Sequence, residues 1–398
     1  MPKIRHGPLK GFHLPDYDGG SIVNLMSSVI RSRGGRSPHP ELRVLPAREL
    51  AGARNVIYVV VDGVGREQVD RHVADGRGKA FFAVHPSRTI TTVCPATTAA
   101  AVTTFGTGAT PAEHGILGWF LHLHDLGLVS TILLTTTRTD SSMAAPSFDL
   151  GKYLRVPEHL ASVNCRRALI SWGHIPESRF SRAGTPWDEA RSFSTLTGLE
   201  REVAACARKP GRSVAYVYWP EYDTFCHGHG CRHRKTVQHL EQIDRVLARL
   251  VKLLEGTDTV LLVTADHGLV DLPRGAGVEL RDVPGFYDCL AMIPSGDARQ
   301  VQCFVRPAKV GTFKNLVRRH LGKACVCVPG EYLIGTGAFG PGRQHPSLAN
   351  RVGDFVLVAR GGHAFASNLP GARSAFNAAN HGGMSATEMF VPLYVVRC

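Results

Sequence analysis

A chain of 398 residues, 43% hydrophobic and 20% charged, has the composition of a globular protein and the length of one large α/β domain with insertions, or of two domains. No window of 18 residues is apolar and free of charge, which excludes a membrane-spanning helix on sequence grounds. The formal charge of +13, from 46 Lys and Arg against 33 Asp and Glu, is spread along the chain rather than gathered in a tract; it points to a basic surface that attracts small anionic substrates and argues against nucleic acid as the partner.

Residues 1–50 read as an irregular segment packed on the core, with one helical pattern in SIVNLMSSVI (21–30). The first twenty residues hold no apolar stretch of signal-peptide length, so a cytoplasmic location is expected. NVIYVVVDGVG (55–65) is a continuous apolar run that breaks at Asp62-Gly63, the pattern of a buried parallel strand and its C-terminal loop. CPATTAAAVTTFGTG (94–108) is small and helix-compatible, with Thr97 or Thr98 near the N-cap. SVAYVYWPEYD (213–223) is a second apolar run ending in an acid, Asp223, and KTVQHLEQIDRVLARLVKLLEG (235–256) is a strongly amphipathic helix. DTVLLVTADHG (258–268) ends a third buried strand with Asp266 beside His267. Neighbouring residues on a strand point to opposite faces, so if both side chains act together the chain must turn there.

Strands alternating with helices predict an α/β fold, a three-layer sandwich with a central, mostly parallel sheet carrying its site on the C-terminal loops. Residues 51–284 and 346–398 are expected to form the catalytic body. Residues 285–345, containing QVQCFVR, KNLVRRHLG and KACVCVPGEYLIG, are expected to form a small α/β insertion over the site. FVLVA (355–359) reads as a strand, and NHGG (380–383) as a polar loop before the last one. The ten cysteines include no CxxC pair and read as reduced thiols; Cys325 and Cys327 share one strand face and read as core packing.

Asp62, Asp223, Asp266, His227, His267 and His381 each lie where an apolar run breaks into a Gly-containing loop, or four residues from such a point. Taken singly, each has a plain structural reading as a cap, a turn or a surface helix pair. Three carboxylates in one cleft repel one another and coexist when cations neutralise them. Mixed Asp and His ligands suit zinc, with manganese or iron as alternatives, and six such ligands are the number needed for two sites. Two metals about 3.5–4 Å apart are the arrangement that clamps an in-line phosphoryl displacement. A threonine at a helix N-terminus nearby would complete it, because the helix end offers free N–H groups to phosphate oxygens.

In this order the motifs resemble those of the type I phosphodiesterase/nucleotide pyrophosphatase family of the alkaline phosphatase superfamily. The likeness runs from about Asn55 to the C-terminus and is weakest at 285–345. It is carried by VVVDGVG, by CPATTAAAVTTFGTGATPAEHGILG, by YWPEYDTFCHGHG, by TADHG and by NHGG. The resemblance implies an alkaline-phosphatase-like sandwich and hydrolysis of phosphoric esters by double displacement. It implies two divalent metal ions, most simply Zn2+. Asp62, Asp266, His267 and the nucleophile would hold one; Asp223, His227 and His381 would hold the other. Counting back from the tail Thr107-Gly108, Pro111 and His114-Gly115-Ile116 places the nucleophile at Thr98, with Thr97 its neighbour and alternative.

One departure is visible. Many nucleotide pyrophosphatases follow the nucleophile with Phe-Pro-Asn-His, whose Asn holds a phosphate oxygen; here the stretch is Ala99-Ala100-Ala101-Val102, and Ala101 cannot make that bond. A phosphomonoesterase or phosphonate hydrolase on the same scaffold is therefore the alternative. A sulfatase does not fit, because Cys94 is followed directly by Pro95. A phosphomutase does not fit either, because the interval from Thr98 to Asp223 leaves little room for the large inserted domain. A catalytically inactive nucleic-acid-binding protein is the reading from another class, and the intact set of seven residues argues against it. The histidine-rich HGHGCRHRKTVQH (227–239) is expected to form a basic rim, with Arg232, Arg234 and Lys235 facing phosphate. The sequence leaves oligomeric state open.

Overall fold

The strand Asn55–Val61 (NVIYVVV) is buried at every position, as a strand covered on both faces must be. It lies at the middle of a seven-stranded sheet in the order Ser87–Thr91, Phe390–Arg397, Thr259–Thr264, Asn55–Val61, Ser213–Trp219, Arg166–Trp172, Glu189–Phe193. Its neighbours Ser213–Trp219 and Thr259–Thr264 run parallel to it, as do the next two strands on the Ser213–Trp219 side; on the other side Phe390–Arg397 is antiparallel to Thr259–Thr264, and the edge strand Ser87–Thr91, antiparallel to Phe390–Arg397, returns to the common direction. The fold is thus the α/β arrangement expected, with a central, mostly parallel sheet. The computed structural model describes residues 3–139, 150–154, 157, 159–184, 186–369 and 376–398.

Register decides where the chemistry emerges. Val60 lies opposite both Tyr218 and Thr264, so the chain leaves three adjacent strands at one edge of the sheet, and Asp62, Asp223 and Asp266 follow within a few residues. The amphipathic pattern beginning at Lys235 becomes the helix Arg234–Leu254, which buries Leu240, Ile243, Leu247, Leu250 and Leu254 at the three-to-four spacing of an apolar stripe. In the N-terminal segment the helix Ile22–Ser32 is buried at ten of its eleven residues and packs against Thr98–Thr107. Asn24 accepts from the Ser21 amide at 3.0 Å, so it closes a helix cap.

A second seven-stranded sheet has the order Cys325–Pro329, Phe355–Ala359, Gln300–Cys303, Ser295–Asp297, Phe120–Leu123, Leu128–Thr131, Thr136–Thr137, antiparallel throughout. Residues 285–345 supply three of its strands; the others come from 120–137 and from FVLVA. Phe286, Phe313 and Leu357 share its core with Cys303 and Cys325. Burial pushes the Cys325 and Cys327 thiols up to about 12, so both stay protonated as packing groups. All ten cysteines are unpaired.

A buried ion pair ties this sheet to the C-terminal loop. Arg299 places Nε 2.6 Å from Glu388 Oε1 and Nη2 3.0 Å from Oε2. Glu388 also accepts from the Gly383 amide at 2.8 Å. The turn of the 295–303 hairpin is thereby held against NHGG. Among the described residues no helix is long and apolar enough to cross a membrane.

Candidate active site

Gly63 and Gly268 explain why Asp62 and Asp266 are each followed closely by glycine. Gly63 has φ +75°, and a Cβ there would meet Leu269 Cδ1 at 2.4 Å. A Cβ on Gly268 would lie 2.0 Å from the Thr387 carbonyl oxygen. A Cβ on Gly65 would lie 2.5 Å from Gly268 Cα, so the two loops pack backbone to backbone there, which bulkier residues would prevent. The Gly63 amide donates to Asp266 Oδ1 at 3.0 Å, and the His267 amide donates to the same oxygen at 2.9 Å. That pair of bonds folds the chain directly after Thr264 and brings the side chains of Asp266 and His267 to one side.

The two side chains meet the other strand ends at one point. His267 Nε2 lies 3.4 Å from Asp62 Oδ1, 3.5 Å from Asp266 Oδ2 and 3.0 Å from Thr98 Oγ1. His267 Nδ1 faces the Gly268 carbonyl oxygen at 3.2 Å, which leaves Nε2 for the site. Thr98 opens the helix Thr98–Thr107 and Thr97 is its N-cap. Of the two, Thr98 faces the cleft, whereas Thr97 is fully buried.

A second group forms alongside. Asp223 and His227 are on the helix Glu221–His229, and their i, i+4 spacing sets His227 Nε2 3.1 Å from Asp223 Oδ2. Asp223 is buried and His227 half-buried at the cleft, so this is not a pair on a solvated helix face. His227 Nδ1 donates to the Ala379 carbonyl oxygen at 2.7 Å, fixing the ring with Nε2 inward. His381 Nε2 is 3.8 Å from Asp223 Oδ1, and its ring stacks on His267 with centroids 3.8 Å apart.

The donor set fits divalent cations. Asp62 Oδ1, Asp223 Oδ1 and Asp266 Oδ2 are buried and make no hydrogen bond, a costly state for carboxylate oxygens unless a cation faces them. Burial, with the facing carboxylates of Asp266 and Asp223, pushes Asp62 well above the usual carboxylate range; burial also raises Asp266. Burial would raise Asp223 too, but His227 outweighs it and brings that carboxyl down to about 2. Burial and the neighbouring His267 hold His381 well below the usual histidine range. Ligands at about 2.0–2.1 Å from a tetrahedral zinc lie roughly 3.4 Å from one another, close to the spacing seen around His267 Nε2. Asp223, His227 and His381 converge in the same way, with ligand atoms within 4.8 Å of one another.

A third group, His39, Glu113 and His159, is satisfied as a fold anchor. Glu113 Oε2 accepts from His39 Nε2 and from the Thr110 amide, each at 2.8 Å, closing the cap of the helix Pro111–His114. The basic rim expected around 227–239 does not reach the cleft: Arg232, Arg234 and Lys235 do not line it. His233 caps the helix Arg234–Leu254. His239 is buried, accepts from Trp219 Nε1 at 3.1 Å and stacks on Phe225.

The cleft opens into a cavity of about 930 Å3 whose far walls include Leu133, Trp172, Ile175, Phe180, Trp187 and Tyr216. Among its described lining residues there is no Lys or Arg. Asp297 also lines it, a residue that the sequence did not single out: an Asp between Gly296 and Ala298 has no ligand spacing and ends no long apolar run.

Residues 56–384 match the family described as type I phosphodiesterase / nucleotide pyrophosphatase. Similar solved structures include phosphonoacetate hydrolase from Sinorhizobium meliloti 1021 in complex with phosphonoformate (TM-score 0.64, 17% identity, 86% of this chain and 90% of that one). Human ectonucleotide pyrophosphatase / phosphodiesterase 5 is a second (TM-score 0.63, 16% identity, 85% and 87%), and its murine counterpart a third (TM-score 0.59, 17% identity, 85% and 87%). At such identities these structures speak for the fold alone. No curated protein matches the chain by sequence. The match over most of its length, on a fold of this kind, makes the chain a member of the type I phosphodiesterase/nucleotide pyrophosphatase family, and with it a phosphoric ester hydrolase.

Proposed function

We propose that the protein hydrolyses a small anionic phosphoric ester by double displacement at a site for two divalent cations, with Thr98 as the nucleophile. The observation that carries this reading is the convergence of Thr98 Oγ1, Asp62 Oδ1 and Asp266 Oδ2 on His267 Nε2 within 3.0–3.5 Å. Asp62, Thr98, Asp266 and His267 would hold one ion and Asp223, His227 and His381 the other, with zinc the first choice and manganese or iron the alternatives. Such ions supply Lewis acidity, which makes a hydroxyl acidic enough to attack at neutral pH and offsets charge developing on phosphoryl oxygens.

The chain's own groups do the rest. Thr98 stands in the first turn of its helix, where backbone N–H groups lack intrahelical partners and can meet phosphoryl oxygens. Its Oγ1 forms a bond to phosphorus as the bond to the leaving alcohol breaks. Water then cleaves the phosphothreonine, restoring the Thr98 hydroxyl and releasing the phosphorylated product. With no Lys or Arg among the described lining residues and aromatic walls beyond, the cavity suits an ester with one phosphoryl centre and a bulky apolar group.

Ala101 favours a second reading. It is fully buried in the main core and lines no part of the cavity, so the family's Asn has no counterpart at that position. A phosphomonoesterase or phosphonate hydrolase is the alternative, and phosphonoacetate hydrolase is among the structural neighbours. The zinc-loaded protein is expected to hydrolyse bis-p-nitrophenyl phosphate faster than p-nitrophenyl phosphate. Turnover of the monoester alone would make it a phosphatase, and phosphate release from phosphonoacetate alone would make it a phosphonate hydrolase.

A further inference from the structure

We propose that the Tyr218 phenol holds Asp62 to a single cation-facing oxygen and so fits the cation site of Asp62 to a four-coordinate ion such as zinc. The proposal rests on reading Asp62, Thr98, Asp266 and His267 as ligands of one ion, and it assigns Tyr218 as a positioning residue for that site.

Tyr218 stands on the strand Ser213–Trp219, opposite Val60 of the neighbouring parallel strand. The Asp62 amide donates to the Trp219 carbonyl oxygen at 2.9 Å, so the pairing of these two strands runs on to Asp62. Side chains two apart share a face of the sheet, which sets Asp62 on the face of Val60, within reach of the Tyr218 ring. The phenol O–H donates to Asp62 Oδ2, a hydrogen bond of the stronger, charge-assisted kind. Tyr218 is buried, packs beside Tyr216 and lines the cavity together with Asp62 and Thr98.

The other oxygen of Asp62 is directed elsewhere. Asp62 Oδ1 lies 3.4 Å from His267 Nε2, in the group that also sets Asp266 Oδ2 at 3.5 Å and Thr98 Oγ1 at 3.0 Å from that nitrogen. Asp266 is divided in the same way. Its Oδ1 accepts from the Gly63 and His267 amides, and Oδ2 turns to the group. Each of the four residues thus presents one atom, and four such donors make the tetrahedral set that zinc prefers. An Asp62 with both oxygens free could bind through both and raise the count to five, toward the higher coordination and oxygen-rich surroundings that suit manganese. On Asp266 the backbone enforces the single oxygen. On Asp62 one side chain does, so the fit to the ion depends there on a replaceable hydroxyl.

The test removes only that hydroxyl. Zinc and manganese affinities of metal-depleted wild type and Tyr218→Phe are measured by competition with a chelator. Tyr58→Phe is the control, because it deletes a buried phenol that donates to the Phe105 carbonyl oxygen at 3.0 Å and not to Asp62. Tyr218→Phe is expected to bind one of its two zinc ions roughly 10- to 100-fold more weakly, the scale for removing an outer hydrogen bond from a metal ligand. Manganese affinity should fall by less, so that preference shifts toward manganese, whereas Tyr58→Phe should keep the wild-type preference. An unchanged zinc-to-manganese ratio in Tyr218→Phe, or the same shift in Tyr58→Phe, would overturn the proposal. Cobalt in place of zinc reads the wild type itself, whether or not the variant folds, and the part of the visible spectrum that Asp62→Ala removes belongs to this site. The intense absorption of four-coordinate cobalt is expected there; the weak absorption of six-coordinate cobalt would overturn the proposal. None of these readouts needs turnover. A wild type that binds no divalent ion would overturn the two-cation reading and the proposal with it, whereas a wild type that binds zinc with a preference Tyr218→Phe does not alter would overturn the proposal alone.

Discussion

Thr98→Ala is expected to lower turnover of a phosphodiester by roughly 10,000-fold or more, the scale on which loss of a covalent nucleophile registers. Thr97→Ala is expected to leave most of the activity. The two threonines are adjacent in sequence and differ in surroundings. Thr98 Oγ1 lies 3.0 Å from His267 Nε2 and lines the cavity, whereas Thr97 is fully buried and makes no side-chain cap bond. Steady-state rates on bis-p-nitrophenyl phosphate for the two variants separate the assignments. An active Thr98→Ala beside an inactive Thr97→Ala would move the nucleophile by one residue.

The largest effect on stability is expected at Arg299. Arg299→Ala removes one partner of a fully buried pair and leaves the Glu388 carboxylate uncompensated, which costs about 3–5 kcal/mol. The loss should be read in the unfolding midpoint of the zinc-loaded protein. Burial alone would raise the Glu388 carboxyl, but Arg299, Ser385 and the Gly383 amide outweigh it and hold the group below the usual range. A group depressed in this way stabilises the fold above its unfolded pKa and loses that contribution as pH falls through the folded one. The Arg299→Ala deficit is therefore expected to be full at neutral pH and to shrink in acid. Because Glu388 also accepts from the Gly383 amide, the variant should loosen the loop that carries His381 and lower zinc retention as well. A midpoint change equivalent to less than about 1 kcal/mol, the scale of an exposed pair, would show that the brace is not needed.

The site was readable where buried parallel strands end. Runs such as NVIYVVV and TVLLVT are apolar throughout because both faces are covered, so the first polar residue beyond each run marks the sheet edge. Asp62 and Asp266 are such residues, Asp223 lies two positions past the first polar residue, Glu221, and the structure brings all three together. The second sheet could not be found so. Its strands are two to five residues long, and the pairing of Gly296 with Phe120 joins segments far apart in sequence, which no local pattern reports. Asp297 is hidden for the same reason: only that pairing brings it to the cleft. The basic rim fails for another reason: a run of charged residues carries no direction. His233 turns the chain into the helix Arg234–Leu254, which carries Arg234 and Lys235 off, and Arg232 does not line the cleft either.

One titration tests the central claim most directly. Zinc is added to metal-depleted protein while bound zinc and hydrolysis of bis-p-nitrophenyl phosphate are followed together. The account predicts no turnover without metal and activity that rises to a plateau as the second equivalent binds, because the two ligand groups act on one phosphoryl centre. Full activity in metal-free protein, or a plateau reached with the first equivalent, would contradict it.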